Sequence, residues 1–161
     1  MDQTFSCSHC KRKVIGYTKK LCRTNLLPSK SSSSGNENID EFIKYTKSNK
    51  KHCDDFIEWI PYSDIEINND PIVKGGFSKI FIGKWHPIKQ DYGVVDDKEL
   101  INIALKVLNG SKNLGPTFLN EFKIHYQCLG TCAIPFYGLT MHPEIDDYAM
   151  IMKHAIHGDL W

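Results

Sequence analysis

Residues 102–108, Asn102-Ile103-Ala104-Leu105-Lys106-Val107-Leu108, decide how this chain is read: a single lysine interrupts an otherwise apolar strand. Alternate side chains of a strand share a face, so Ala104 and Lys106 fall together while Ile103, Leu105 and Val107 take the other side. A lysine on a buried face needs an anionic partner or must lose its charge, whereas one on a solvent face needs neither. The segment 116–129 offers such a partner. It sets Phe118, Leu119, Phe122, Tyr126 and Leu129 at helical spacing, with Pro116 suited to the first turn. Glu121 lies mid-helix beside that apolar stripe. An ion pair from helix to sheet would hold both side chains in position.

Upstream, Val73-Lys74-Gly75-Gly76-Phe77-Ser78-Lys79-Ile80 reads as a tight turn between two strands. Adjacent glycines let a backbone fold over a phosphate with its amides inward, and Phe77 at the tip can cap the pocket. A plain hairpin turn is the alternative. Runs rich in Ile, Val, Phe and Tyr predict strands at Ile65 to Lys74, Lys79 to Trp85, Asn102 to Leu108, Ile134 to Thr140 and Tyr148 to His154, with a long polar loop from His86 to Glu99. Three strands, a helix and two strands predict an α+β fold, a five-stranded antiparallel sheet with one packed helix. Ahead of it come a cysteine-containing tail (1–27), a serine-rich linker (28–37) and a short amphipathic helix within 38–55. Asn38 is read as the cap of that helix, Ile39, Phe42 and Ile43 as its buried face, and Lys51 as its end.

Strand, glycine turn, strand, Ala-x-Lys strand and Glu-bearing helix together resemble the N-lobe of a eukaryotic protein kinase of the tyrosine-kinase-like group. The segment Tyr148-Ala149-Met150-Ile151-Met152-Lys153-His154-Ala155 and onward to Leu160 is similar to a fifth kinase strand entering the hinge. Glu58-Trp59-Ile60-Pro61-Tyr62, Lys74-Gly75-Gly76-Phe77-Ser78 and Tyr137-Gly138-Leu139-Thr140 resemble, more narrowly, the expanded kinase families of arbuscular mycorrhizal fungi. The resemblance implies ATP as cofactor, bound along Val73, Lys74, Gly75, Gly76, Phe77, Ser78, Ile80 and Ala104. It makes Lys106 the phosphate-positioning residue, Glu121 its ion-pair partner and Met152 the gatekeeper. Lys153 to Ala155 would offer backbone groups to adenine, and Asp159 would reach the ribose. A helix N-terminal acid is the other reading of Asp159.

The pattern has departures. Val73 stands at the first glycine of the family's Gly-x-Gly-x-x-Gly and Ser78 at the third. A β-branched Val73 narrows the approach of backbone to nucleotide, which implies weakened ATP binding. The sequence holds no His-Arg-Asp, Asp-Phe-Gly or Ala-Pro-Glu, so the base and the magnesium ligands of the family are absent. The chain stops at Trp161, just past the expected hinge. Residues 56–161 are therefore read as a truncated N-lobe and hinge, from a family that phosphorylates proteins in signalling, and inactive alone. The rival reading is a non-catalytic interaction or regulatory module, meeting other proteins through the exposed lobe or the N-terminal helix.

Cys7-Ser8-His9-Cys10 has the bite of a zinc half-site and Cys22 can begin a second, but Asn25 stands where a matching cysteine would fall. Zinc module and degenerate, poorly ordered tail both stay open. Cys53, Cys128 and Cys132 read as buried or incidental thiols. Across 161 residues, 20 Lys and Arg balance 19 Asp and Glu, and the net charge of +1 gives no whole-chain case for nucleic acid. The basic side chains concentrate in residues 1–34, where seven of them meet only Asp2. No apolar run is long enough for a bilayer and no targeting segment is present, so the expectation is a cytosolic or nuclear protein with reduced thiols and no membrane partner.

Overall fold

The computed structural model describes residues 4–6, 13–15, 26–28, 32–49, 56–91, 94–96, 100–113, 115–128, 134 and 136–154. Its centre is a curled, mixed sheet of seven strands. They are β4 (Glu58–Trp59), β5 (Ile65–Ile67), β6 (Val73–Lys74), β7 (Ser78–Trp85), β10 (Ile101–Leu108), β11 (Phe136–His142) and β12 (Asp147–Lys153). The order runs β4-β11-β12-β10-β7-β5, with β6 also paired to β7. Two helices accompany the sheet, α1 (Glu37–Ser48) and α2 (Pro116–Gln127). The fold is α+β, as expected, but the sheet differs from the expected five antiparallel strands in two ways.

First, the single strand expected over Ile65 to Lys74 is two short strands, β5 and β6, both antiparallel to β7. Asn69-Asp70-Pro71 interrupts them, and Pro71 brings no N–H to a ladder. Second, β4 joins the edge parallel to β11 through Gly138↔Glu58 and Leu139↔Trp59. A Cβ placed on Gly138 would lie 2.2 Å from the Glu58 carbonyl oxygen, so this approach needs glycine.

Register then sorts the side chains. Direct pairings run Val73↔Ile80, Ile80↔Lys106, Lys106↔Met150 and Met150↔Leu139, which puts these residues in one row on one face. That face is covered by both helices: Ile39, Phe42 and Ile43 of α1 and Phe122 of α2 cluster with Leu108, Leu139, Met150 and Met152. The other face closes by curling, and packs Ile60, Ile65, Phe81, Trp85, Ile103, Leu105 and Val107 together. Covered on both sides, β12 buries every residue except Lys153. This explains its unbroken apolar run.

The start of α1 lies ahead of its expected position. Asn36, not Asn38, is the cap: its side-chain oxygen accepts from the N–H groups of Asn38 (3.0 Å) and Ile39 (3.3 Å). Ser34 donates to the Asp40 carboxylate through its N–H (2.9 Å) and hydroxyl (2.6 Å), and Ser33 through its hydroxyl at 2.5 Å. Burial pushes the Asp40 carboxyl up, but the donors from Ser33 and Ser34 outweigh it and hold the group below its ordinary 3.8. The helix ends at Ser48 rather than Lys51, with the Asn49 N–H bonded to the Tyr45 carbonyl. Thr46 then ties α1 to the sheet by accepting the Ile57 N–H at 3.2 Å.

The segment expected to be an extended loop, His86 to Glu99, holds β8 (Ile88–Asp91) paired antiparallel with β9 (Val94–Asp96). The Val94-Val95 pair beyond Gly93 carried that hairpin signal in the sequence. The cysteine-containing tail is described only at residues 4–6, 13–15 and 26–27. In it, β1 (Thr4–Ser6) pairs with β2 (Lys13–Ile15), and β3 (Leu26–Leu27) pairs with β8. Among the described residues no helix is long and apolar enough to cross a membrane.

Candidate functional site

The site is built from β10, α2 and the turn between β6 and β7. Helix α2 starts on Pro116 as expected and ends at Gln127, two residues short of Leu129, which lies outside the described residues. Phe122 is its fully buried anchor. Tyr126 meets Phe42 of α1 edge to face at 5.9 Å between ring centres. The His125 ring bonds the Ile134 carbonyl at 3.0 Å and meets Phe136 edge-on at 5.4 Å. Helix α2 is thus fixed by α1 on one side and by β11 on the other.

Glu121, one residue before the anchor, consequently faces the sheet. Its carboxylate accepts from the Lys106 ammonium at 2.8 Å. The two side chains are 43% and 30% exposed, so the pair adds about 1 kcal/mol or less to stability. Its role is placement. It holds an ammonium group at a defined point on a partly open face.

The glycine turn joins β6 to β7, the strand next to β10, and leads into Ser78, which pairs with Leu108 two residues beyond Lys106. Gly75 donates to the Ser78 carbonyl at 2.8 Å, closing the turn between the Lys74↔Lys79 pair. Asn109, at the end of β10, clamps it: the Asn109 amide donates to the carbonyls of Gly75 and Gly76, both at 3.2 Å, and its N–H to that of Phe77 at 2.9 Å. Among the described residues the N–H groups of Gly76 and Phe77 take no protein acceptor. Asn109 escaped the sequence reading. The only signal was an Asn-Gly pair directly after a strand.

The loop after β10 is fastened in turn. The buried Asp147 carboxylate accepts the N–H groups of Gly110 and Lys112, each at 3.0 Å, and the Tyr148 N–H donates to the Ser111 hydroxyl at 2.7 Å. Gly110 sits at φ +76°, where a Cβ would be strained. Lys112 also pairs with Asp146.

Of the expected nucleotide contacts, Val73, Ile80 and Lys106 share one row, and Ala104 pairs with Met152 two residues along the same face. Ala104 is fully buried and Met152 nearly so. Phe77 is 90% exposed and covers nothing. Lys74 and Lys153 lie on the opposite face by alternation from Val73 and Met152. Ala155 and Asp159 lie outside the described residues, as do Cys7, Cys10 and Cys22. Among the described residues no three His, Cys, Asp or Glu side chains gather as a metal site.

No protein-family model matches the chain, and no curated protein matches it.

Proposed function

We propose that residues 56–161 form a protein-kinase-type N-lobe whose Lys106, held by Glu121, meets the phosphates of ATP beside the Gly75–Ser78 turn. The observation that supports this reading most is the 2.8 Å pair itself. A Lys on the third long run and a Glu on the following helix were singled out by strand alternation and helical spacing, and they meet. The unpartnered N–H groups of Gly76 and Phe77 are suited to phosphate oxygens. ATP would bring the phosphoryl group and its charge. This chain's own residues would orient the phosphates and offset that charge.

Transfer is a different matter. The sequence has no residue in the place of the family's base and none for its metal ions. Positioning and electrostatic stabilisation supply nearly all of phosphoryl-transfer catalysis, so the 161-residue chain is expected to bind ATP weakly and to turn over none. The second reading, a non-catalytic interaction module, draws on the burial of Ala104 and Met152.

Titration of the full chain with ATP, followed by a fluorescent analogue, separates them. On the nucleotide reading Lys106→Met lowers affinity about tenfold, the worth of a charge-assisted hydrogen bond, and costs no more than the pair's about 1 kcal/mol of stability. No saturable ATP binding, or binding indifferent to Lys106→Met, would favour the interaction module.

A further inference from the structure

On the sheet face away from Lys106 the register brings two lysines together. Lys74 and Lys79 are direct partners across β6 and β7, and both side chains point to this side because Val73 and Ile80 point to the other. Like charges directly opposed weaken a strand pair. Neither lysine has an ion-pair partner among the described residues.

Both border a cleft of about 320 Å³, a size typical of small-molecule sites. Its floor is aromatic. Phe81 and His142 are buried, with ring centres 5.5 Å apart, and Tyr62 stands 5.1 Å from His142. Burial holds the His142 imidazole below its ordinary 6.5, and Lys79 adds to this while Glu144 opposes it. The ring is therefore neutral at pH 7. Its Nδ1 accepts the Ile145 N–H at 3.3 Å, which leaves the proton on Nε2. Burial, and then the Glu144 carboxylate, push the Tyr62 phenol up, so it stays a donor. The cleft thus joins two lysines, one carboxylate and three mutually tilted aromatic rings.

We propose that this cleft binds a small aromatic phosphate, its ring against Tyr62 and Phe81 and its phosphate between Lys74 and Lys79. Two ammonium groups match a dianion better than a single carboxylate, and the aromatic floor suits a ring better than a free inorganic ion. Glu144 gives the ring's own N–H or O–H groups an acceptor. The site is independent of the nucleotide reading, because it lies across the sheet from Lys106.

Calorimetric titration of the full chain with phenyl phosphate tests it, with inorganic phosphate as the comparison. Expected are one site per chain, affinity about tenfold weaker for inorganic phosphate, and a loss of about tenfold for Lys74→Gln and again for Lys79→Gln, each removing one charge-assisted bond. Lys106→Met should leave phenyl phosphate binding unchanged. Melting curves report that each variant is folded. No saturable binding, equal binding by the Lys74→Gln/Lys79→Gln double variant, or a loss that follows Lys106→Met instead, would overturn the proposal.

Discussion

On the helix-covered face of the sheet one lysine, Lys106, meets a carboxylate at 2.8 Å. On the opposite face two lysines, Lys74 and Lys79, stand opposed across a strand pair, with no carboxylate paired to either among the described residues. The difference follows from what closes each face. Helix α2 lies over the first and carries Glu121 to it. The second is closed by the sheet's own curl, which brings Phe81, Leu105 and Trp85 together, and Glu144 shares a cleft with the two lysines without pairing to either. Lys106 is paired because a helix carries a carboxylate to it.

If both faces are true cores, truncation on either should be severe. Phe122→Ala on the helix side and Leu105→Ala on the curled side both remove fully buried side chains. Each should cost roughly 3 to 5 kcal/mol, measured by urea unfolding. A Leu105→Ala cost under about 1 kcal/mol, the range of exposed positions, would mean the curled face is not a closed core.

Gly138→Ala tests the edge that makes the sheet mixed. The new methyl would meet the Glu58 carbonyl oxygen, a backbone atom that cannot swing away. An overpacking cost of about 1 to 3 kcal/mol is expected, with faster hydrogen exchange at the Ile60 N–H, which bonds the Leu139 carbonyl. An unchanged midpoint would argue against parallel pairing of β4.

A smaller effect concerns the start of α1. The Asp40 carboxyl is lower in the folded chain than its ordinary 3.8, so its contribution is present above that pH and fades as pH falls through the lower folded value. Asp40→Asn should cost about 1 kcal/mol at neutral pH, allowing for solvent screening. Wild type and variant should converge in stability below pH 3.8. A constant gap down to strong acid would remove the carboxylate from the account.

The sequence made the middle of the molecule readable and its edges much less so. Strands β7, β10, β11 and β12 and helix α2 are each seven residues or more, long enough for alternation or helical spacing to speak. The Lys106–Glu121 meeting was legible because both residues sit at fixed phases of those periods. The two-residue β4 has no period to read, and its place depends on a distant glycine. Asn36 and Asn38 are equally good caps by composition, and in the fold it is Asn36 that accepts the first N–H groups, with Ser33 and Ser34 bonded to Asp40 of the first turn. The cleft at Lys74 and Lys79 was hidden for a further reason. Splitting the expected first strand at Asn69-Asp70-Pro71 set which lysine faces which side, and a one-residue shift would reverse it.

The central claim is that Glu121 acts on nucleotide only through Lys106. A double-mutant cycle with Lys106→Met and Glu121→Gln, read as ATP affinity, measures it directly. The account predicts that each single change weakens ATP binding and that the double variant binds no more weakly than Lys106→Met alone. Additive losses, or a Glu121→Gln protein that binds ATP as the wild type does, would contradict it.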